Sequence, residues 1–248
     1  MLSADNVVTA DMGSAERTAW FSVLGEPRGN AAWLDAQGLL RLRIQELRLD
    51  ETVCHRRDLQ LMGDHNILNV LAACAISAIS GAVLEPMRAV ATTFRGVEHR
   101  LQLVRELDGV RYYDGSIATT PERLMADLRC FDRPVVLLCG GRDKHLPWED
   151  AVRLMAQRCR HVALFGEMAP LVKAEIDRQQ ANVGVTPCDG LDQAVKAAAS
   201  IAQPGDVVLL SPGGTSYDAY KDFAERGDVF VRLVDELHST MALGEVTQ

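Results

Sequence analysis

The spacing of apolar residues changes near residue 64, where the first helix is predicted. Residues 40–44 read Leu-Arg-Leu-Arg-Ile, and such alternation is typical of a half-buried strand. Short apolar runs at 20–24 and 31–34 predict two earlier strands. From Asp64 the apolar residues recur every three or four positions as far as Gly81. We therefore expect a meander or sheet edge, and then a helix with Asp64 as its N-cap and Gly81 at its end.

Beyond residue 95, apolar strands alternate with amphipathic helices. The pair Asp108-Gly109 separates two apolar runs and predicts a hairpin. The predicted strands are 101–107, 110–113, 135–139, 161–165, 183–185 and 207–210, and the predicted helices are 121–130, 147–159, 169–178, 191–202 and 228–237. Such alternation is typical of a mainly parallel sheet with helices on both faces. The sequence therefore predicts the α/β class, with a Rossmann-like domain at 84–248 after a partial α/β domain at 1–83.

Composition and charge exclude several kinds of partner. The 248 residues carry 26 Lys and Arg against 34 Asp and Glu, a net charge of −8, without a dense basic run, so we expect no nucleic-acid partner. The six cysteines are scattered without a Cys-x-x-Cys pair, which favours a reducing compartment. The N-terminus lacks the basic start and apolar core of a secretory signal, and polar residues interrupt the longest apolar stretch, 67–84. We expect a cytoplasmic monomer that contacts no membrane.

Polar residues follow three of the predicted strands, at the edge where parallel sheets bind ligands. The loop 114–121 carries hydroxyl groups and opens a helix, whose free amides can hold an anion. The loop 140–144 has two glycines before Lys144, whose charge suits a phosphate or a carboxylate. The loop 211–217 is rich in hydrogen-bond donors. Each loop also has an ordinary interpretation: a helix cap, a turn with a solvated lysine, and a flexible turn.

One further basic residue is a candidate, and two kinds of motif are absent from the sequence. Arg100, beside His99, can bind a phosphate in a bidentate manner, although an exposed arginine at a strand start is the more usual explanation. The histidines have no spacing suited to a metal, so no metal ligand is predicted. The sequence contains no Gly-x-x-x-x-Gly-Lys-Ser/Thr phosphate loop. No single motif decides the function.

Five segments in a fixed order are more specific than any one of them. They are Asp-His-Asn-Ile-Leu-Asn at 64–69, Thr-Phe-Arg-Gly-Val-Glu-His-Arg at 93–100, Asp-Gly-Ser-Ile-Ala-Thr-Thr-Pro-Glu at 114–122, Gly-Gly-Arg-Asp-Lys at 140–144, and 203–223 with its Ser-Tyr-Asp and Lys-Asp-Phe triplets. Together they resemble the C-terminal half of the Mur ligases, and most closely the members that add D-glutamate. By this resemblance, residues 1–83 are the end of the family's central ATP-binding domain, and 84–248 are its ligase domain.

The resemblance implies an ATP-dependent ligase of peptidoglycan synthesis. In such a ligase ATP phosphorylates the alanine carboxylate of UDP-N-acetylmuramoyl-L-alanine, and the amine of D-glutamate attacks the acyl phosphate. The implied ATP contacts are Asn66, Arg100, Asp114 and Ser116, and the implied D-glutamate contacts are Thr119, Lys144, Ser216, Tyr217 and Phe223, with Lys144 as the catalytic residue. The cofactors implied are ATP and Mg²⁺, with the magnesium ligands outside these 248 residues.

The sequence departs from the family pattern at two places. The family has an Asp immediately before the Ser of the Ser-x-Ala-Thr segment, whereas here Gly115 stands there and the acid is Asp114. The phosphate loop and the magnesium residues of the central domain are also absent, so we expect no ligase activity from this polypeptide alone.

Two other functions remain open. One is a ligase similar to folylpolyglutamate synthase, against which the triplets ending at Asp218 and Phe223 argue. The other is a non-catalytic domain that binds a dicarboxylate or a nucleotide.

Overall fold

The computed structural model describes residues 1–12 and 18–238, and the chain divides into two compact units, Met1–Gly96 and Val97–Gln248. The division lies after Gly96 and not between residues 83 and 84. The reason is that the helix Leu84–Thr93 buries Met87 and Ala91 in the core of the first unit. The predicted boundary is therefore too early along the chain.

The first unit contains a five-stranded sheet and two long helices. Its strands are β1 Leu2–Ser3, β2 Ala19–Ser22, β3 Asn30–Leu34, β4 Leu39–Ile44 and β5 Leu49–His55; its helices are α1 Val7–Ala10, α2 Asp64–Ile79 and α3 Leu84–Thr93, with 3-10 turns at Gln45–Leu47 and Arg56–Asp58. The strands lie in the order β1-β2-β3-β4-β5, parallel from β1 to β3 and antiparallel from β3 to β5. Helix α2 packs against β2, β3 and β4.

Glycines determine both ends of α2. Gly63, with a φ of +85°, is the N-cap, and Asp64 lies in the first turn, where its charge favours the positive end of the helix dipole. The predicted cap is therefore one residue too late. Gly81 follows the C-cap Ser80 with a φ of +92°, which confirms the predicted helix-ending glycine.

The second unit is a six-stranded, mainly parallel sheet. Its strands are β6 Gln102–Leu107, β7 Val110–Asp114, β8 Val135–Gly140, β9 Cys159–Phe165, β10 Gly184–Pro187 and β11 Val207–Gly213; its helices are α4 Pro121–Leu128, α5 Glu149–Arg158, α6 Ala169–Arg178, α7 Leu191–Ile201 and α8 Phe223–Asp235. Every residue of β8 and β11 is buried, as expected of strands covered on both faces. The predicted α/β class is confirmed.

The strand order β10-β9-β8-β11-β7-β6 changes direction at β11. β7 and β8 follow one another along the chain, yet β11 lies between them and is parallel to both. The predicted hairpin joins β6 to β7, and Asp108 and Gly109 have φ values of +51° and +75°, as a tight two-residue turn requires. In open α/β sheets ligands bind where the strand order changes in this way, here at the carboxyl ends of β7, β8 and β11.

The last helix starts earlier than the sequence pattern predicts. Helix α8 begins at Phe223 and not at residue 228, because the side chain of Asp222 caps it by accepting a hydrogen bond from the Glu225 N–H over 2.9 Å. Within the described ranges, no helix has both the length and the apolar content needed to cross a membrane.

Candidate functional site

Three loops meet at the carboxyl ends of β7, β8 and β11, and we call residues 115–120, 141–148 and 214–222 the rim. The Gly213 N–H donates to the Ala118 carbonyl over 2.8 Å. Arg142 and Thr215 exchange two backbone hydrogen bonds of 2.8 and 2.9 Å. These bonds hold the three loops side by side, so residues distant in sequence share one edge of the sheet.

Lys144 links two of the rim loops. Its ammonium group donates to the Thr119 hydroxyl over 3.2 Å, and Lys144 is exposed while Thr119 is half-buried. The third loop contributes Ser216, which is 2% exposed, and Tyr217, which is 62% exposed. Phe223 begins α8 and is 36% exposed. The rim and the start of α8 thus combine a cation, two aliphatic hydroxyl groups and two aromatic rings, one of which is a phenol.

The Gly-Gly turn after β8 allows the rim loops to touch. A Cβ atom on Gly140 would lie 2.1 Å from the Phe165 carbonyl oxygen, and one on Gly141 would lie 2.1 Å from that of Thr215. Gly141 also has a φ of +108°, which favours glycine. The turn therefore serves the close packing of protein loops, and it places Lys144 three residues later on the rim.

Asp114 and Ser116 lie inside the second unit. Asp114 is fully buried; its Oδ2 is 2.7 Å from His99 Nδ1, and its Oδ1 accepts from the Ser116 N–H over 2.8 Å. Burial raises the pKa of Asp114, although His99 and Ser116 oppose this effect. Ser116 is also fully buried, and its hydroxyl donates to the Phe223 carbonyl over 2.7 Å. Both side chains hold the loop through these bonds, and their contact with ATP stays a prediction.

Arg226, which the sequence reasoning missed, is fully buried behind the rim. Its guanidinium donates to the Ser116 hydroxyl over 3.0 Å, to the Ser116 carbonyl over 2.9 Å and to the Gly214 carbonyl over 3.2 Å. Burial lowers its pKa to about 10, against the opposing charge of Asp218, so it stays protonated at neutral pH. Its burial could have been inferred from its position, because Arg226 lies four residues before the buried Phe230 and therefore on the same face of α8.

Asp127 is a second buried charge that the sequence reasoning missed. It is 8% exposed, and its Oδ2 accepts from the Ser211 hydroxyl over 2.8 Å. Burial raises the pKa of Asp127 to about 7, while Ser211, Arg100 and Arg123 act in the opposite direction. This carboxyl group therefore changes its charge close to neutral pH.

Asp127 is expected to make stability depend on pH. Between about pH 4 and about pH 7 the folded chain holds a proton that the unfolded chain releases, because the pKa of Asp127 rises from 3.8 to about 7 on folding. Stability should therefore fall by about 4 kcal/mol as the pH rises through this window, and then level off. In Asp127→Asn most of this fall should disappear, with a smaller remainder from Asp114. Urea unfolding across the window measures it, and an undiminished fall in the variant would contradict the assignment.

The two remaining candidates for nucleotide contacts lie in different units. Arg100, in the second unit, is exposed, and its charge acts on Asp127. Asn66, in the first unit, is buried. Its amide donates to the Met62 carbonyl over 2.7 Å, and its Oδ1 accepts from Asn69 over 3.3 Å. Both polar groups of the Asn66 side chain are therefore hydrogen-bonded at the start of α2.

A cavity of about 500 Å³ lies between α2 and α3 in the first unit. Its lining is mainly apolar, with Leu61, Met87 and Phe94 among the large side chains, and Asn69 and Ser77 are polar. This combination suits a small molecule with an apolar body and a few polar groups. Elsewhere within residues 1–12 and 18–238, no three His, Cys, Asp or Glu side chains converge as a metal site requires.

The comparisons with known proteins concern the family and the fold of the chain. Residues 99–214 match the family model described as Mur ligase, glutamate ligase domain. The UDP-N-acetylmuramoylalanine–D-glutamate ligase of Roseiflexus sp. (strain RS-1) is 39% identical over 244 residues, which cover 94% of this chain and 52% of that protein. The chain therefore spans about half the length of this relative.

Solved structures share the fold at low sequence identity. The pseudomurein peptide ligase type C of Methanothermus fervidus has a TM-score of 0.67 at 13% identity, over 96% of this chain and 56% of that one. The folylpolyglutamate synthase of Mycobacterium tuberculosis has a TM-score of 0.60 at 15% identity, over 85% of this chain and 49% of that one. These likenesses concern the fold alone. The match at 99–214 and the sequence identity to the Roseiflexus protein show that the chain belongs to the Mur ligase family.

Proposed function

We propose that the rim binds D-glutamate for an ATP-dependent ligase that joins it to UDP-N-acetylmuramoyl-L-alanine. The observation that carries this proposal is the bond between the Lys144 ammonium and the Thr119 hydroxyl, beside the loop with Ser216. A dicarboxylate needs a cation and several hydrogen-bond donors, and the rim offers both. The name of the Roseiflexus relative, which adds D-glutamate, supports the same substrate.

The rim residues bind and orient the amino acid in this proposal. Lys144 neutralises one carboxylate, and the Thr119 and Ser216 hydroxyls donate to carboxylate oxygens. Thr119 lies two residues before Pro121, the first residue of α4, so the positive end of that helix adds to the attraction. With both carboxylates held, the amine attacks the carbonyl carbon of the acyl phosphate. A carbon–nitrogen bond forms, the carbon–oxygen bond to phosphate breaks, and the nitrogen releases a proton as phosphate leaves.

We propose two candidate contacts for a nucleotide, and each lies within its own unit. In the first unit, the cavity with Asn69 suits an adenine ring, since its lining is apolar with a neighbouring amide. In the second unit, Arg100 is exposed and suits a phosphate or a ribose oxygen. ATP supplies the phosphoryl group, and Mg²⁺ is assigned to none of the described side chains. The six cysteines all lie within the described residues and form no disulfide, which supports the cytoplasm as the site of the reaction.

The test is thermal unfolding of the 248-residue chain with D-glutamate, L-glutamate and D-aspartate. At about 100 times its Kd, D-glutamate should stabilise the second unit by about 2.7 kcal/mol, which is a rise of several degrees in Tm. A rise with L-glutamate alone would favour the folylpolyglutamate-like alternative. No rise with any of the three would contradict the proposal. Without a phosphate loop, the chain should release no ADP when all three substrates of the ligase are supplied.

A further inference from the structure

One buried hydrogen bond joins α4 to β11 beneath the first rim loop. The fully buried Ser211 donates its hydroxyl to Asp127 Oδ2 over 2.8 Å. Asp127 lies in the last turn of α4, and Ser211 lies in the second half of β11. The bond is thus a direct side-chain link between a helix and the central strand of the sheet.

The first rim loop packs directly on this carboxyl group. A Cβ atom at Gly115 would lie 3.0 Å from Asp127 Oδ2 and 2.7 Å from the Leu210 carbonyl oxygen. The Gly115 N–H donates to that same carbonyl over 2.7 Å. Asp127 therefore occupies the space into which a side chain at position 115 would project, and the glycine and the buried acid depend on each other.

We propose that Asp127 is a positioning residue for the rim, an inference that rests on the function proposed above. Helix α4, which carries Asp127, begins two residues after Thr119, and β11, which carries Ser211, ends three residues before Ser216. The bond between Asp127 and Ser211 therefore fixes the supports of the two hydroxyl groups relative to each other. Lys144 bonds to Thr119, so a shift of that loop also moves the partner of the ammonium group.

Because Asp127 and Ser211 are buried, removal of the Asp127 carboxyl group should disturb the structure around them. Loss of the Asp127 carboxyl would leave the Ser211 hydroxyl without its acceptor in a fully buried position and would open a space under Gly115. An asparagine at 127 keeps the shape and can still accept from Ser211. The pair Asp127→Ala and Asp127→Asn therefore separates loss of the link from loss of the charge.

The experiment uses Asp127→Ala, Ser211→Ala, the double variant and Asp127→Asn, with Asp206→Ala as the matched control. Asp206 is also buried, and it accepts a bidentate bond from Arg160 at the opposite end of β11. The first measurement is hydrogen exchange of the Gly213 N–H, which donates to the Ala118 carbonyl across the rim. The second measurement is D-glutamate affinity by titration calorimetry.

We expect exchange at Gly213 to be roughly tenfold faster, and affinity roughly tenfold weaker, in Asp127→Ala and in Ser211→Ala. The double variant should match either single one, because both break the same bond. Asp127→Asn should stay close to the wild type, and Asp206→Ala should change neither measurement. Unchanged exchange in folded Asp127→Ala would overturn the inference. If exchange at Gly213 is faster in Asp127→Ala but the wild-type chain binds no D-glutamate, the positioning role is upheld and the proposed function is contradicted.

Discussion

Lys144→Ala is expected to weaken D-glutamate binding by about ten- to hundredfold. The ammonium group of Lys144 is the charged donor on the rim that bonds to Thr119, and bonds between charged groups are worth about 1.5–3 kcal/mol each. Lys144 is exposed, so its loss leaves no buried partner and the fold should remain intact. Titration calorimetry with D-glutamate measures the affinity, and circular dichroism checks the fold.

Lys196→Ala is the matched control for this variant. Lys196 is an exposed lysine on α7 that approaches only Asp192, at 4.0 Å, among the described residues. Its removal changes the net charge by the same amount and should leave D-glutamate affinity within about twofold of the wild type. If both variants weakened binding equally, the effect would be one of net charge, and Lys144 would lose its assigned role.

Arg226→Met is expected to have the largest effect on stability, about 3–5 kcal/mol. The methionine fills part of the space but donates nothing, so the Ser116 and Gly214 carbonyl groups lose their buried donor. Asp114, which is fully buried, also loses a neighbouring positive charge. Urea unfolding at neutral pH measures the loss, and the D-glutamate affinity of the remaining folded chain should fall because Gly214 stands two residues before Ser216.

The same substitution at an exposed position of α8 provides the comparison. Arg232 is exposed in the last turn of that helix, and Arg232→Met should change the free energy of unfolding by less than about 1 kcal/mol. A small effect of Arg226→Met, similar to that of Arg232→Met, would show that the buried guanidinium does not hold the rim together.

Most of the second unit could be predicted from the sequence because its signals are local. The hairpin at Asp108-Gly109 and the apolar runs of β8 and β11 each lie within a few residues. The strand β5 was missed because it reads Leu-Asp-Glu-Thr-Val-Cys-His, and an edge strand with polar residues lacks the apolar alternation of β4. The start of α8 was missed because Gly227 interrupts its helical pattern.

The candidate site could be predicted only in part, since resemblance and pattern report residue types and not burial. Lys144, Thr119 and Ser216 belong to loops that follow strands, so their convergence follows from a parallel sheet. Arg226 and Asp127 were missed because a charged side chain on a helix is normally exposed. Which charge is buried depends on contacts between segments about 100 residues apart, as between Arg226 and Ser116.

The position of β11 has a consequence for synthesis of the chain. This strand is the last of the sheet to be made, yet it lies at the centre, between β7 and β8. While a ribosome makes residues 141–206, both inner strands expose unpaired backbone edges, which are prone to pair with other chains. The sheet can close only after residue 213 has left the exit tunnel. Chaperone dependence and aggregation of nascent chains should therefore be greatest when translation pauses before β11.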